Sequence, residues 1–322
     1  MSNETMTYKH LGKCGTQVSA FGLGGWTTYG GSIKDEQVIR EIIHHAFDAG
    51  INYFDIADVY ARGASEEAMG KVLQDMPRHE LVLATKVFWP MSDDINDRGL
   101  SRKHIMESID KSLQRMGTDY VDLYFCHRFD ENTPLEETAR AMDDLVRQGK
   151  VLYWGTSEWT GEQLQQVAEI CNTRHLYRPQ VEQPQYSLLA RKKLEQDVRP
   201  TTEELGMGLV VWSPLASGVL TGKYDDGIPD GSRLDHIEWL REGLLTENKM
   251  NRIKKLGSLA TAWGVSRAQL ALAWLNHQSG VSSVILGATR KEQLVENLGA
   301  LTIQLTSEQM ETLNTLFAIK ED

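Results

Sequence analysis

The chain has 322 residues, of which 41% are hydrophobic and 25% are charged, an ordinary composition for a globular protein. Its formal net charge is −11, which argues against a general nucleic-acid binder because such proteins present a basic face to phosphates. The sequence contains neither an apolar signal-peptide core nor an apolar run long enough to span a bilayer.

The three cysteines, Cys14, Cys126 and Cys171, lack the paired spacing of a zinc site, so no metal site is predicted. Unpaired, reduced thiols are typical of cytoplasmic proteins. We therefore expect a cytoplasmic protein with no membrane insertion. The length allows one large α/β domain or two average ones, and the lack of a linker-like change in composition favours a single domain, residues 1–322.

Short apolar segments alternate with amphipathic helical segments along the chain. The first is a predicted hairpin, in which residues 8–11 and 17–19 flank the turn-rich sequence GKCGT. Predicted core strands follow at 20–25, 52–55, 81–86, 121–127, 151–157, 179–183, 208–214 and 282–287. Predicted helices lie at 34–49, 65–74, 101–117, 134–150, from 160, around 192–205, near 246–263, at 266–278 and from 291.

About eight strands, each followed by a helix, predict a (β/α)8 TIM barrel with an N-terminal β-hairpin. The strands are apolar throughout, as expected when both faces of a parallel sheet are covered. A doubly wound sheet is the competing architecture, but GLGGWTTYGG after the first strand lacks the G-x-G-x-x-G spacing. Residues 218–240, after strand seven, form the one long irregular insertion, and loops of this length are uncommon unless they bind something.

Polar side chains end most of the predicted strands. In a parallel barrel, active sites form at the carboxyl ends of the strands. Tyr60 lies in the loop just beyond the second strand. We expect it to meet the residues at the strand ends, which are Asp55, Lys86, His127, Ser157 with Glu158, Gln183, Trp212 with Ser213, and Gly287.

Tyr60 is the candidate proton donor of this set. A phenol has an unperturbed pKa of about 10, and a neighbouring ammonium would lower that pKa. Lys86 could supply the charge, Asp55 could hold Lys86, and His127 could orient a carbonyl oxygen beside Tyr60. The set suits reduction of a carbonyl group if a nicotinamide cofactor delivers hydride, because protein side chains carry none.

The segment GATRKEQLVENLGA, after the last predicted strand, is a candidate phosphate-binding site. A helix that begins near Lys291 would present free backbone N–H groups to an anion, and barrels often bind phosphate after strands seven and eight. Arg290 and Lys291 could meet a further phosphate, such as the 2′-phosphate that distinguishes NADP from NAD. Arg290 is better suited because its guanidinium binds phosphate through two N–H groups.

Taken together, the motifs resemble the aldo-keto reductase superfamily, in particular the branch with the potassium-channel β subunits and their bacterial relatives. The resemblance extends over nearly the whole chain. It implies a TIM barrel, reduction of an aldehyde or ketone by NADPH, and assembly as a homo-oligomer. The motifs that carry it are GINYFDIADVYARGASEEAMGKVL, LATKVFW, GLSRKHIMESIDKSLQRMGTDYVDLYFCHR, WSPLASGVLTGKY and GATRKEQLVEN.

The resemblance also implies roles for individual residues. A catalytic tetrad falls on Asp55, Tyr60, Lys86 and His127, with Tyr60 as the general acid. Ser157 and Gln183 would hold the carboxamide of the cofactor. Trp212 would stack on the nicotinamide. With Arg290 added, the residues expected to bind NADPH or NADP+ are Trp26, Asp55, Ser157, Gln183, Trp212, Ser213, Pro214, Leu215, Ser217, Lys223, Arg233, Gly287, Thr289, Arg290, Gln293, Glu296 and Asn297.

Two positions depart from the pattern of the family. Glu158 stands where reductases often have Asn and the channel subunits have Arg, and an acid there would not contact the carboxamide in the usual way. The channel subunits have Asn where this chain has His127. The complete tetrad favours an active reductase of a small carbonyl substrate. The alternative is a nicotinamide-sensing regulatory subunit of a membrane or cytoplasmic partner, with little turnover.

Overall fold

The computed structural model describes residues 6–319, except for the side chains of residues 239, 240 and 242. An antiparallel hairpin of β1 (Tyr8–His10) and β2 (Gln17–Ser19) comes first, as predicted. Eight parallel strands then close into a barrel, with the neighbour order β10-β3-β4-β5-β6-β7-β8-β9. They are β3 (Phe21–Gly24), β4 (Tyr53–Asp55), β5 (Val82–Val87), β6 (Val121–Cys126), β7 (Val151–Ser157), β8 (Val181–Gln183), β9 (Gly208–Val211) and β10 (Val281–Leu286). The predicted TIM barrel is confirmed.

Helices cover the outside of the barrel. The first shows why the sequence folds this way, because Ile39, Ile42, Ile43 and Ala46 recur at helical spacing and all four are buried. Asp35 begins this helix by accepting backbone N–H bonds with its side chain. The α-helices are α1 (Glu36–Asp48), α2 (Ala64–Leu73), α3 (Arg102–Met116), α4 (Leu135–Arg147), α5 (Gly161–Arg174), α6 (Arg199–Leu205), α7 (Arg233–His236), α8 (Glu238–Leu244), α9 (Glu247–Ala262), α10 (Arg267–Asn276), α11 (Lys291–Leu298) and α12 (Ser307–Leu316).

The N-terminal hairpin closes the end of the barrel away from the strand carboxyl ends. Leu11 and Val18 are fully buried and pack in one apolar cluster with Tyr53 and Val82, which lie on barrel strands. The backbone N–H of Lys13 also donates to the carbonyl oxygen of Gly206, just before β9. Because this end of the barrel is filled, a ligand is expected at the opposite end, where the strands end.

Three features differ from the sequence-based prediction. The insertion after β9 is not wholly irregular, since it contains α7 and overlaps the 3-10 turn Ala216–Thr221 and α8. These helices are too short to show an amphipathic repeat in the sequence. The chain also forms a π-helical turn at Leu194–Val198 before α6, and α12 was not predicted at all.

The pairing of neighbouring strands brings the polar strand ends to one level. Ser157, at the end of β7, pairs with Gln183 at the end of β8. Lys86 in β5 pairs with Phe125 in β6, two residues before His127. The predicted site residues therefore meet at one mouth of the barrel. None of the helices within residues 6–319 is long and apolar enough to cross a membrane.

Candidate active site

The ammonium of Lys86 joins the end of β4 to the turn that carries Tyr60. Its Nζ donates to Asp55 Oδ2 at 2.6 Å, to the carbonyl oxygen of Ile56 at 2.7 Å and to the Tyr60 hydroxyl oxygen at 3.1 Å. An ammonium has three N–H donors, so all three are satisfied. Lys86 is fully buried, and its position is therefore set by these three acceptors.

Asp55 is held by two further donors that fix its second oxygen. The Tyr53 hydroxyl donates to Asp55 Oδ1 at 3.0 Å, and Gln183 Nε2 donates to the same atom at 2.8 Å. Tyr53 was missed by the sequence analysis. The sequence does contain a signal for Tyr53, because it stands two residues before Asp55 and residues two apart on a strand lie on the same face. Gln183 thus connects the expected cofactor residues to the tetrad.

The charges around Tyr60 act on its phenol in opposite directions. Burial raises the pKa of Tyr60, the positive charge of Lys86 lowers it, and Asp55 raises it again. The net result is a pKa above the usual value, so the lowering by Lys86 expected from the sequence is outweighed by burial. Burial alone would lower the pKa of Lys86, but Asp55 and Tyr60 together raise it above its usual value. The site therefore holds a protonated phenol beside a charged ammonium.

His127 follows β6 and faces Tyr60 edge to face, with the ring centroids 5.8 Å apart. Burial, together with the charges of Lys86 and Arg128, holds the pKa of His127 well below its usual value. Its Nδ1 is buried and has no hydrogen-bond partner among the described residues. The imidazole is therefore neutral near pH 7 and can donate one N–H to a ligand.

Aromatic rings form a wall next to His127. The Trp89 ring lies 6.3 Å from the His127 ring and 5.1 Å from the ring of Phe88, both edge to face. The guanidinium of Arg128 lies 5.6 Å from the Trp89 centroid. Trp89 is 37% exposed, so part of this aromatic surface next to His127 is open to solvent.

A second aromatic pair joins the residues that follow β3 and β9. Trp212 comes directly after β9 and meets Trp26 edge to face, with centroids 6.2 Å apart. The guanidinium of Arg233 lies 5.3 Å from the centroid of Trp26. The structure thus brings together three of the residues expected to bind the cofactor. On the other side, the Ser157 hydroxyl donates to the Gln183 carbonyl oxygen at 2.9 Å.

The backbone after Trp212 has an uncommon conformation. Ser213, Ala216 and Ser217 all have positive φ angles, of 56°, 48° and 58°, which cost energy in residues other than glycine. Such backbone conformations concentrate where a chain clamps a ligand. Pro214 and Leu215 lie within this strained segment, and Lys223 follows it with its Nζ 4.8 Å from the Tyr224 ring.

The last group of expected cofactor residues lies around the start of α11. Arg290 is the residue before this helix and is exposed, with extended backbone. Gln293 Oε1 accepts from the Thr289 N–H at 2.8 Å and from its hydroxyl at 3.0 Å. Gly287 directly follows β10, Asn297 is buried, and the Glu296 carbonyl accepts from Gln269 Nε2 at 3.0 Å.

A buried acidic network lies behind the 3-10 turn Tyr60–Gly63. Asp58 accepts from the following backbone N–H at 2.6 Å and from the Ser108 hydroxyl at 3.1 Å. Glu66 accepts from Arg115 Nε at 2.6 Å. Burial, followed by the nearby charge of Glu66, raises the pKa of Asp58 to about 7. Asp58 therefore links the start of the turn that carries Tyr60 to α3.

Within residues 6–319, no three His, Cys, Asp or Glu side chains are grouped so that they could hold a metal ion. The polar side chains that meet at the mouth include Asp55, Tyr60, Lys86 and His127, with Tyr53 and Gln183 as supports. This arrangement can hold a carbonyl oxygen, protonate it and stabilise the resulting phenolate.

Comparisons with known proteins agree with this geometry. A model described as "Aldo/keto reductase family" matches residues 20–317. Two proteins named "Probable voltage-gated potassium channel subunit beta" are similar over 303 residues, covering 92% of this chain and 92% of each relative. The one from Oryza sativa subsp. japonica is 45% identical and the one from Arabidopsis thaliana 44%. A "Putative voltage-gated potassium channel subunit beta" of Schizosaccharomyces pombe is 40% identical over 322 residues, covering 97% of this chain and 94% of the relative.

Members of the matched family typically bind a nicotinamide nucleotide, which supports an oxidoreductase role. The match spans the barrel strands, from β3 to β10, and all four residues of the predicted tetrad. The chain belongs to the aldo/keto reductase family.

Proposed function

We propose that the protein reduces an aldehyde or ketone to an alcohol with NADPH as the hydride source, and that Tyr60 donates the proton. The observation that carries the proposal is the buried hydrogen-bonded chain from Asp55 through Lys86 to the Tyr60 hydroxyl, at 2.6 and 3.1 Å. The phenol is protonated, and the ammonium beside it stabilises the phenolate that forms when the proton passes to a carbonyl oxygen.

Tyr60 gives up its proton as the carbonyl oxygen becomes an alkoxide. When bound, NADPH supplies the hydride that the carbonyl carbon takes up. The phenolate left on Tyr60 is stabilised by the ammonium of Lys86, 3.1 Å away, and it recovers a proton from solvent. Asp55 keeps Lys86 charged and in place, because its carboxylate raises the pKa of that ammonium.

His127 orients the substrate rather than supplying the proton. Its pKa is well below the usual value, so the ring is neutral at physiological pH. A neutral imidazole can donate one N–H to the carbonyl oxygen without competing with Tyr60 as the acid. The rings of Phe88 and Trp89 would cover the apolar part of a small aldehyde.

The residues around β9 and α11 suit a dinucleotide in residue type. Trp212 and Trp26 offer flat apolar surfaces for the nicotinamide. Arg233 and Arg290 offer guanidinium groups for phosphates. The amino end of α11 adds backbone N–H groups, and Ser232 has a buried hydroxyl with no partner among the described residues. A homo-oligomer, expected from the resemblance, is part of the proposal.

The direct test is the loss of NADPH absorbance when the purified protein is mixed with a panel of small aldehydes and ketones. We expect turnover with several of them and a lower rate with NADH. If the protein binds NADPH but turns over none of the panel, the reductase proposal fails.

The names of the relatives favour a second candidate function. Three relatives at 40 to 45% identity are named as potassium channel β subunits, so a nicotinamide-sensing regulatory subunit is the alternative. It predicts tight NADPH binding, negligible turnover and a stable partner in pull-downs from the source cells. His127 completes the predicted tetrad, and a complete tetrad favours the reductase.

A further inference from the structure

We propose that Glu158 is a positioning residue that holds the indole ring of Trp212 in the orientation needed to receive the nicotinamide. The inference rests on the proposed function, because it concerns the site of the proposed cofactor. It assigns a role to an acid that the sequence analysis left without one.

The carboxylate of Glu158 is bound by three donors from three separate segments. Its Oε1 accepts from Trp212 Nε1 at 3.0 Å and from the backbone N–H of Gln185 at 2.5 Å. Its Oε2 accepts from Lys193 Nζ at 2.9 Å. Charge-assisted hydrogen bonds of this kind are about twice as strong as neutral ones, so the carboxylate is a fixed point for all three segments.

The bond to the indole matters because it controls the ring and not only the backbone of Trp212. The backbone is already held, since the Trp212 N–H donates to the Pro184 carbonyl at 3.2 Å and the Tyr186 N–H donates to the Trp212 carbonyl at 3.2 Å. These bonds leave the side-chain torsions free. Trp212 Nε1 is a single donor, and its bond to Glu158 restricts the rotation of the ring.

Glu158 also links the indole ring of Trp212 to the neighbouring segment that contains Gln185. The same Oε1 that accepts from the indole accepts from Gln185, whose backbone is bridged to Trp212. Trp212 also packs edge to face against Trp26, with the ring centroids 6.2 Å apart. The indole is therefore held from its Nε1 edge and packed against Trp26.

The backbone of Glu158 supports the same conclusion. Its φ angle is 62°, a left-handed conformation that costs energy in a residue other than glycine. Lys193 Nζ donates to the Glu158 carbonyl oxygen at 2.6 Å, which helps to keep this conformation. Strained residues persist where the surrounding contacts hold them, and they concentrate at ligand-binding sites.

The test compares Glu158→Ala with Glu158→Gln, because the Gln amide oxygen can still accept from Trp212 Nε1 and from the Gln185 N–H. Glu162→Ala is the matched control, since Glu162 is an exposed glutamate near the start of α5. Trp212→Phe identifies the near-UV circular dichroism that comes from Trp212. The affinity for NADPH is measured by fluorescence quenching.

We expect Glu158→Ala to lose most of the Trp212 signal in the near-UV spectrum and to bind NADPH about tenfold more weakly. Glu158→Gln should retain the signal and bind within about threefold of the wild type, as should Glu162→Ala. Rescue by Gln would show that the acceptor for Trp212 Nε1 matters more than the negative charge, because Gln keeps that acceptor and loses the charge-assisted bond to Lys193.

The inference is overturned if Glu158→Ala keeps the wild-type Trp212 signal or the wild-type affinity for NADPH, or if Glu158→Gln loses the Trp212 signal as fully as Ala does. A wild-type protein that binds no NADPH would overturn the proposed function instead. The near-UV spectrum of the free protein would still decide whether Glu158 holds the ring, so the two failures are distinguishable.

Discussion

The Lys86 ammonium and the Asp55 carboxylate form an ion pair 2.6 Å long in which the side chains are 0% and 5% exposed. Burying two charges is costly, and an apolar pair of similar volume is often as stable. Here every donor of Lys86 is used, and Asp55 has two further donors in Tyr53 and Gln183. The pair is therefore best explained by what it does to Tyr60.

Asp55→Asn should disable this pair in two measurable ways. The variant leaves the Lys86 ammonium buried without a counter-charge, which costs on the order of 3 to 5 kcal/mol of stability. The rate of carbonyl reduction should fall about 100-fold or more, since the lysine would no longer be held charged beside the phenol. Urea unfolding and steady-state kinetics measure the two effects.

Asp48→Asn serves as the control for this variant, because Asp48 is exposed at the end of α1. It should match the wild type in both measurements. If Asp55→Asn had wild-type stability and a rate within threefold of the wild type, the ion pair would have no part in the reaction.

Asp58→Asn should change how stability depends on pH. Burial raises the pKa of Asp58 to about 7, from a usual value of 3.8. The folded state therefore binds more protons than the unfolded state between these values, and stability falls as pH rises through that window. Asn cannot ionise, so the variant escapes the penalty. The difference in free energy of unfolding between the variant and the wild type should therefore grow by about 2 to 3 kcal/mol, in favour of the variant, as the pH rises from 5 to 8.

The measurement is urea unfolding of both proteins at several pH values across that range. Asp119→Asn is the control, since Asp119 is exposed, and its difference from the wild type should be the same at every pH. A pH-independent difference for Asp58→Asn would show that the Asp58 carboxyl ionises normally in the folded protein.

Arg290→Ala should weaken the binding of NADPH much more than the binding of NADH. Loss of one charge-assisted contact to the 2′-phosphate costs about 1.5 to 3 kcal/mol, which is about 10- to 150-fold in the dissociation constant. Lys291→Ala is the comparison, because Lys291 Nζ already lies 3.6 Å from Glu41 Oε1, and its effect should be smaller. Equal weakening of both nucleotides by Arg290→Ala would indicate a general electrostatic role.

The sequence predicts the barrel and the location of the site because both follow from the order of strands. Asp55, Lys86 and His127 each stand at or next to a strand end, and parallel strands bring those ends together. The order of strands could not reveal the hydrogen bond that Gln183 donates to Asp55, or the one that Trp212 donates to Glu158. Both depend on side-chain orientation across segments that are distant in the chain.

The pKa of Tyr60 shows the same limit in a different way. The neighbouring charge of Lys86 can be predicted from the order of strand ends. The degree of burial cannot, and burial is the larger effect, so the net shift is upward rather than downward. The helix α7 was missed because a four-residue helix gives few repeats of the amphipathic pattern. The ten-residue α12 carries a capping box of Thr306 and Gln309 that could have predicted it.

Tyr60→Phe tests the proton-donor role most directly. The substitution removes only the hydroxyl that accepts from Lys86 at 3.1 Å, so the ring still fills its place beside His127. NADPH binding, followed by fluorescence, should stay within about threefold of the wild type, while kcat for aldehyde reduction should fall by about 1,000-fold or more. A variant that binds NADPH and still reduces aldehydes at the wild-type rate would contradict the role assigned to Tyr60.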